Sequence, residues 1–199
     1  MQVSAPTNVR KYRRGEESKQ KILEATISLL EQYDLKALSL DRIAKEAGIA
    51  KSSVLWHFGS KEMLVADAIH QVFQEIESSV HDMQLGHLPV LKRLEAMLDH
   101  IVTLIEKRPK LKGIILGLVF SSDLSDPVRE KIFVTWQSHR QEIIRTLSDD
   151  TFTVTDEMAS ALLGMIHGCY IQWAIGEFKQ PLRPIVQSVT QLLRTLRNL

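Results

Sequence analysis

One cysteine, Cys169, stands alone among 199 residues. It excludes an intrachain disulfide framework, offers no cysteine pair with metal-ligand spacing, and fits a reducing cytoplasm. Nine glycines and six prolines are few for this length. The helix formers Ala, Leu, Glu, Lys, Gln and Arg fill the space, so an all-α chain is expected. The longest unbroken apolar stretch, Ile114–Phe120, is far short of the roughly 20 residues that cross a bilayer, so no membrane partner is expected. The opening MQVSAPTNVRKYRRGEE has no apolar centre of the kind a secretory signal needs. Alternating strand patterns and internal repeats are absent from the sequence.

What is present is ordinary in bulk and uneven in detail. The chain is 44% hydrophobic and 25% charged, with a net charge of +1. Residues 1–61 hold 11 Lys/Arg against 7 Asp/Glu, leaving 14 against 17 for the remainder. A basic start on an acidic remainder points to a polyanionic partner at one end, although a charge run is also what a solvated face looks like.

Residues 1–15 read as a flexible basic arm, with Pro6, Asn8 and Gly15 as breakers and Arg10, Lys11, Arg13 and Arg14 clustered. Its alternatives are a solubilising tail and an arm, with Arg14, touching DNA beside the main site. A helical period runs from Glu16 to near Tyr33 through Ile22, Ala25, Ile27, Leu29 and Leu30. Ser39 is a good N-cap with Asp41 in the first turn, and Gly48 should end that helix in left-handed backbone. A second short helix opens at Lys51 or Ser52 and closes at Gly59. Ser60 then caps a longer helix carrying Leu64, Val65, Ala68, Ile69, Val72, Phe73 and Ile76. Further helices are expected at about 89–107, 109–121, 126–148 and 155–178, and a last one after Pro181 and Pro184 to about 197.

The segment KSSVLWHFGSK, residues 51–61, raises the functional question. Val54 and Phe58 are one turn apart and can share a buried face. Leu55 and Trp56 are then left outside beside Lys51, Ser52 and Ser53. Ile43, Ala44, Gly48, Ile49 and Val54 have the spacing of a helix-turn-helix: a small residue at the crossing, a glycine at the turn, and two branched residues wedged between the helices. That motif lays its second helix in the major groove of duplex DNA. In this reading Leu55 meets a thymine methyl, Trp56 packs on sugar-phosphate, and His57 and Lys61 donate to phosphates.

SLDRIAKEAGIAKSSVLWHFGSKEMLVADAI resembles the DNA-binding segment of the tetracycline-repressor (TetR) family of bacterial transcriptional regulators. The likeness covers about residues 16–80. It weakens beyond, where LLGMIHGCYIQWAIGEF is similar to the penultimate helix and Pro181–Leu199 to the last. The resemblance implies an all-helical homodimer, with a three-helix DNA-binding domain at 16–61 and an effector-binding and dimerisation domain at 62–199. It departs at Leu55, where the family usually carries an aromatic, often tyrosine, so Trp56 becomes the candidate to replace that phosphate contact. The DNA-binding set expected is Arg14, Ser39, Lys51, Ser52, Ser53, Leu55, Trp56, His57 and Lys61.

The body says less. Gly113–Gly117 and Gly164–Gly168 each have the spacing that lets helices approach closely, and plain core packing explains them as well. Gly164, Gly168, Ile171, Ala174 and Ile175, with Leu192, Leu193 and Leu196, are the candidates for a four-helix dimer interface. Phe120, Trp136, His139, Met165, His167, Tyr170 and Trp173 are candidates to line an effector pocket, and at helical spacing such residues also build ordinary cores. The pattern is without metal-ligand spacing, paired catalytic carboxylates, a serine–histidine arrangement or a phosphate loop, so no cofactor, metal or enzymatic activity is expected. The expected function is a cytoplasmic regulator, more in keeping with a repressor, that binds a palindromic operator and responds to a small apolar or amphipathic molecule. The rivals are a helical-body enzyme, and an interaction module that keeps the helix-turn-helix.

Overall fold

The computed structural model describes residues 7–119 and 124–197; the side chains of residues 7–12, 110, 112, 119, 193, 196 and 197 lie outside the description. The described residues form nine α-helices and no strand: α1 (Thr7–Gln32), α2 (Leu40–Ala47), α3 (Lys51–Phe58), α4 (Lys61–Asp82), α5 (Val90–Lys107), α6 (Pro109–Val119), α7 (Asp126–Leu147), α8 (Asp156–Ile175) and α9 (Leu182–Arg197).

Helix α1 corrects one expectation. It begins at Thr7, well inside the segment read as a flexible arm. Residues 9–14 include three arginines and a lysine, all good helix formers, and one interior glycine costs only about 1 kcal/mol relative to alanine. The Arg13–Glu17 pair, 3.2 Å apart one turn along, adds to the helix across Gly15.

Contacts divide the chain into two units, Met1–Val72 with Lys110–Ile132, and Phe73–Pro109 with Phe133–Leu199. The first unit runs past residue 61 to Val72, inside α4, so the packing divides within that helix. In the first unit Ile22 and Leu30 of α1, Ile43 of α2, Val54 of α3 and Leu64 and Val65 of α4 are fully buried. Short caps make the small helices sharp. Ser39 accepts from the Arg42 amide at 3.2 Å to start α2, and Gly48, at φ 67°, ends it in the left-handed region that glycine enters without a Cβ penalty.

The second unit is built on Met97, Leu98 and Val102 of α5, Ile143 of α7, Ala159 of α8, and Leu182 and Val186 of α9. Glu106 Oε1 accepts from the Leu182 and Arg183 amides at 2.7 and 3.3 Å, so α5 supplies the cap of α9. Arg93 is a buried hub: its guanidinium donates to the carbonyls of Gly86, Leu88 and Ser148 and to Asp149 Oδ2. Helix α8 stops at Ile175, short of 178, because Glu177 and Phe178 both adopt left-handed backbone at φ 54° and 58°.

By length and composition α8 is apolar enough to cross a membrane, which the short apolar stretch at 114–120 did not lead one to expect. Ala159, Leu162, Leu163, Ile166, Tyr170 and Trp173 are nevertheless packed inside the second unit, as in the core helix of a bundle.

Candidate functional site

The first unit positions α3 by its two ends. Ile49 donates its amide to Ala44 O at 3.0 Å, closing the turn after α2, and Gly59 at φ 72° closes α3. Between them only Val54 and Phe58, 0% and 5% exposed, point inward. Leu55 is 40% exposed and Trp56 80% exposed. The Trp56 and His57 rings meet edge to face at 4.7 Å, which holds the indole upright on the surface. Ser52 is exposed, and Ser53 and His57 are half-buried.

The cations around this ridge are less free than the sequence suggests. Lys51 Nζ donates to Asp41 Oδ2 at 2.8 Å, linking the start of α3 to the first turn of α2. Lys61 is half-buried and donates to Leu38 O at 3.3 Å; an ammonium has three donors, so others remain for a phosphate. Ser39 already spends its hydroxyl oxygen as the α2 cap. Arg14 is exposed on α1, and its carbonyl accepts from Ser18 Oγ at 2.9 Å. Two partners had not been singled out from the sequence. Asp41 was read only as a helix-dipole residue, and Arg42 stacks 4.3 Å over the Tyr33 ring while donating to Ala37 O. Nothing in residue spacing flags either contact, since both cross between elements.

In the second unit the residues proposed for a pocket fall into two groups. Phe73 of α4 lies 4.8 Å from the His139 ring and 5.6 Å from Trp136 of α7, and Trp136 meets His167 of α8 edge to face at 4.8 Å. Beside this row of rings is Glu77 of α4, which the sequence had not brought forward. Ser138 Oγ donates to its Oε2 at 3.1 Å, while its Oε1 is buried with no hydrogen-bond partner among the described residues, 3.8 Å from His139 Nδ1. An acidic residue at helical spacing between the buried Phe73 and Val80 was the available signal. Burial pushes the Glu77 carboxyl above its ordinary range; the Ser138 hydrogen bond opposes that, Glu142 adds to it and Arg145 offsets it. The carboxylate borders a cleft of about 490 Å³ between α4 and α7.

Tyr170 and Trp173 stand apart from this row of rings. Tyr170 Oη donates to Pro109 O at 2.8 Å, and Trp173 Nε1 donates to Gln180 O. With Phe178 they form a second ring cluster that secures the corner after α8. Their polar atoms are used in holding backbone. Met165 is exposed on α8, beside the buried stripe Leu162, Leu163 and Ile166. Phe120 lies outside the described residues.

The outer face of α8 carries Gly164, Gly168, Ile171 and Ile175 at helical spacing. Ile175 is 72% exposed, and Leu192 on α9, which packs beside α8, is 57% exposed. Ala174 is half-buried, and the side chains of Leu193 and Leu196 lie outside the described residues. A Cβ placed on Gly164 or Gly168 would meet nothing within 4 Å. Packing within the chain therefore does not require glycine at either position, and the core explanation of that pair is set aside.

Residues 22–68 match the family model described as bacterial regulatory proteins, tetR family. The chain is 24% identical over 184 residues to the HTH-type transcriptional regulator LmrA of Bacillus subtilis (strain 168), covering 89% of this chain and 97% of that protein. It is 26% identical over 165 residues to the nucleoid occlusion factor SlmA of Aliivibrio fischeri (strain MJ11), covering 79% and 84%. Among solved structures, FadR from Bacillus subtilis in complex with stearoyl-CoA has a TM-score of 0.71 at 16% identity, covering 87% of this chain and 96% of that one. A TetR transcription regulator from Haloarcula marismortui also reaches 0.71, at 17% identity, covering 88% and 96%. The helix-turn-helix of α2 and α3 lies within residues 22–68, which match the tetR-family model, and the chain is a DNA-binding transcriptional regulator similar to proteins of that family.

Proposed function

We propose that the protein is a cytoplasmic repressor that binds a palindromic operator as a homodimer and leaves it when a small apolar or amphipathic molecule enters the body. The observation that carries the DNA contact is the outward pair Leu55–Trp56 on α3, with Lys51 at the start of the same helix. Apolar atoms left wet beside a cation suit a surface that a duplex covers. The glycine-lined outer face of α8, with Ile171, Ile175 and Leu192, supports a second copy as the partner. Two heads on a two-fold axis would read half-sites about 34–36 Å apart. An effector shifts this equilibrium only by its difference in affinity for the two states, so effector and operator weaken each other equally. No cofactor takes part.

The test is selection from a library of palindromic duplexes, followed by titration of the selected site and a scrambled one at two salt concentrations. A regulator of this kind binds the selected site more tightly at both and loses affinity steeply with salt. Equal, salt-insensitive binding to both duplexes would leave the interaction-module reading in its place.

A further inference from the structure

The corner that leads from α1 into α2 gathers cations from three helices. Arg42 of α2 donates through Nη1 to Ala37 O at 3.2 Å, and Lys61 of α4 donates to Leu38 O at 3.3 Å. Lys51 of α3 donates to Asp41 Oδ2 at 2.8 Å. All of these acceptors lie within residues 37–41, where Asp41 is the sole carboxylate. In a helix-turn-helix the first helix crosses the sugar-phosphate backbone while the second lies in the groove. Lys51 and Lys61 are the phosphate donors expected there, and Arg42 shares their corner. It is held differently from them. Its Cζ lies 4.3 Å from the centroid of the Tyr33 ring, just past the end of α1, so an aromatic face fixes the guanidinium. Stacking uses the flat side of that group and leaves its in-plane N–H donors, of which Ala37 O takes one. Arg42 is exposed and makes no ion pair among the described residues.

We propose that Arg42 is a further DNA-binding residue, a donor to a backbone phosphate, and that Tyr33 is the positioning residue that holds it ready. This rests on the operator-binding reading above and adds a stacked pair to it. A guanidinium already ordered on a ring meets a phosphate with two N–H groups and loses little freedom in doing so. Lys51, by contrast, must first leave Asp41. Phosphate contacts fix register and strength but carry no base identity. Arg42 therefore sets affinity for duplex DNA in general, and the outer face of α3 sets the preference among sequences.

The test uses the full chain, the selected duplex and its scrambled counterpart, with anisotropy titrations across a salt series. Arg42→Gln removes the charge and keeps a donor for Ala37 O. It is expected to weaken binding to both duplexes about fivefold, to lower the salt slope by about 0.9, and to leave their affinity ratio unchanged. Tyr33→Phe keeps the ring face and should bind as the parent does. Tyr33→Leu should weaken binding about threefold in the parent and not at all in Arg42→Gln, because the ring acts through Arg42. Equal losses from Tyr33→Leu in both backgrounds overturn the positioning role. Parent affinity and salt slope in Arg42→Gln overturn the phosphate contact, as does a loss confined to the selected duplex, which marks a base contact instead. Melting temperatures within about 2 °C of the parent's confirm folding. A less stable Arg42→Gln is replaced by Arg42→Lys, which keeps the charge without the planar fork. That variant should keep the salt slope and lose affinity for both duplexes, and unchanged affinity there overturns the assignment equally. A parent that binds neither duplex removes the DNA reading itself; a parent that binds with Arg42 and Tyr33 idle removes this assignment alone.

Discussion

Lys51 Nζ lies 2.8 Å from Asp41 Oδ2, so the cation that opens α3 is held by a carboxylate of the preceding helix. Both side chains are well exposed, and an exposed pair of this kind contributes little to stability. Its effect is on binding, because a phosphate must compete with Asp41 for the ammonium. Asp41→Asn should therefore tighten DNA binding several-fold, and Lys51→Ala should weaken it and reduce the salt slope by about 0.9. Anisotropy titrations across a salt series read both numbers. An Asp41→Asn affinity equal to the parent's would mean that Lys51 is not used on DNA.

Trp56 offers a cleaner separation of folding from function. At 80% exposure its ring holds no core together. Trp56→Ala should move the melting temperature by no more than about 1 °C while weakening operator binding about tenfold. Thermal melting and gel-shift titration on the same preparation decide it; a large loss of stability would show that the indole serves the fold.

Glu77 links the stability of the second unit to pH. The folded chain holds the Glu77 proton more tightly than the unfolded chain does, because burial raises that carboxyl. Stability from this residue is therefore fully present below the ordinary carboxylate range and is lost as pH rises through the folded value. Glu77→Gln should raise the melting temperature by on the order of 1 °C at about pH 7.5 and leave it unchanged near pH 4. A variant less stable than the parent at neutral pH would mean that the carboxylate is compensated after all.

Ile175 tests the outer face of α8. It is 72% exposed in the single chain. If a second copy covers it, Ile175→Glu should shift the protein from dimer to monomer in sedimentation velocity and reduce operator affinity at least tenfold. A dimer that persists with unchanged operator binding would place the two-fold elsewhere.

The head was legible in the sequence because its constraints are local. Gly48 and Gly59 bracket a helix of eight residues, and so short a helix buries one pair a turn apart, Val54 and Phe58; the outward place of Leu55 and Trp56 follows. The body resisted for the opposite reason. Trp136, Tyr170 and Trp173 look alike at helical spacing, and only contacts far along the chain separate them. Tyr170 reaches a carbonyl 61 residues away, whereas Trp136 joins rings from two other helices. The arm misled because Asn8 and Gly15 were weighed as breakers one by one. The basic residues around them are helix formers, and summed over the window they win.

The corner after α8 has a consequence for chain length. Glu177 and Phe178 each carry a side chain through left-handed backbone, and Phe178 is secured by its ring on Trp173 and its amide on Trp173 O at 3.1 Å. One added residue there would either undo that fastening or turn α9 by about 100° about its axis. Leu192, exposed on α9, would then turn to a different side. If a second copy packs on α8 and α9, a single-codon insertion at this corner would disturb that contact without altering any of its residues, and reporter fusions or tags placed there would carry the same penalty.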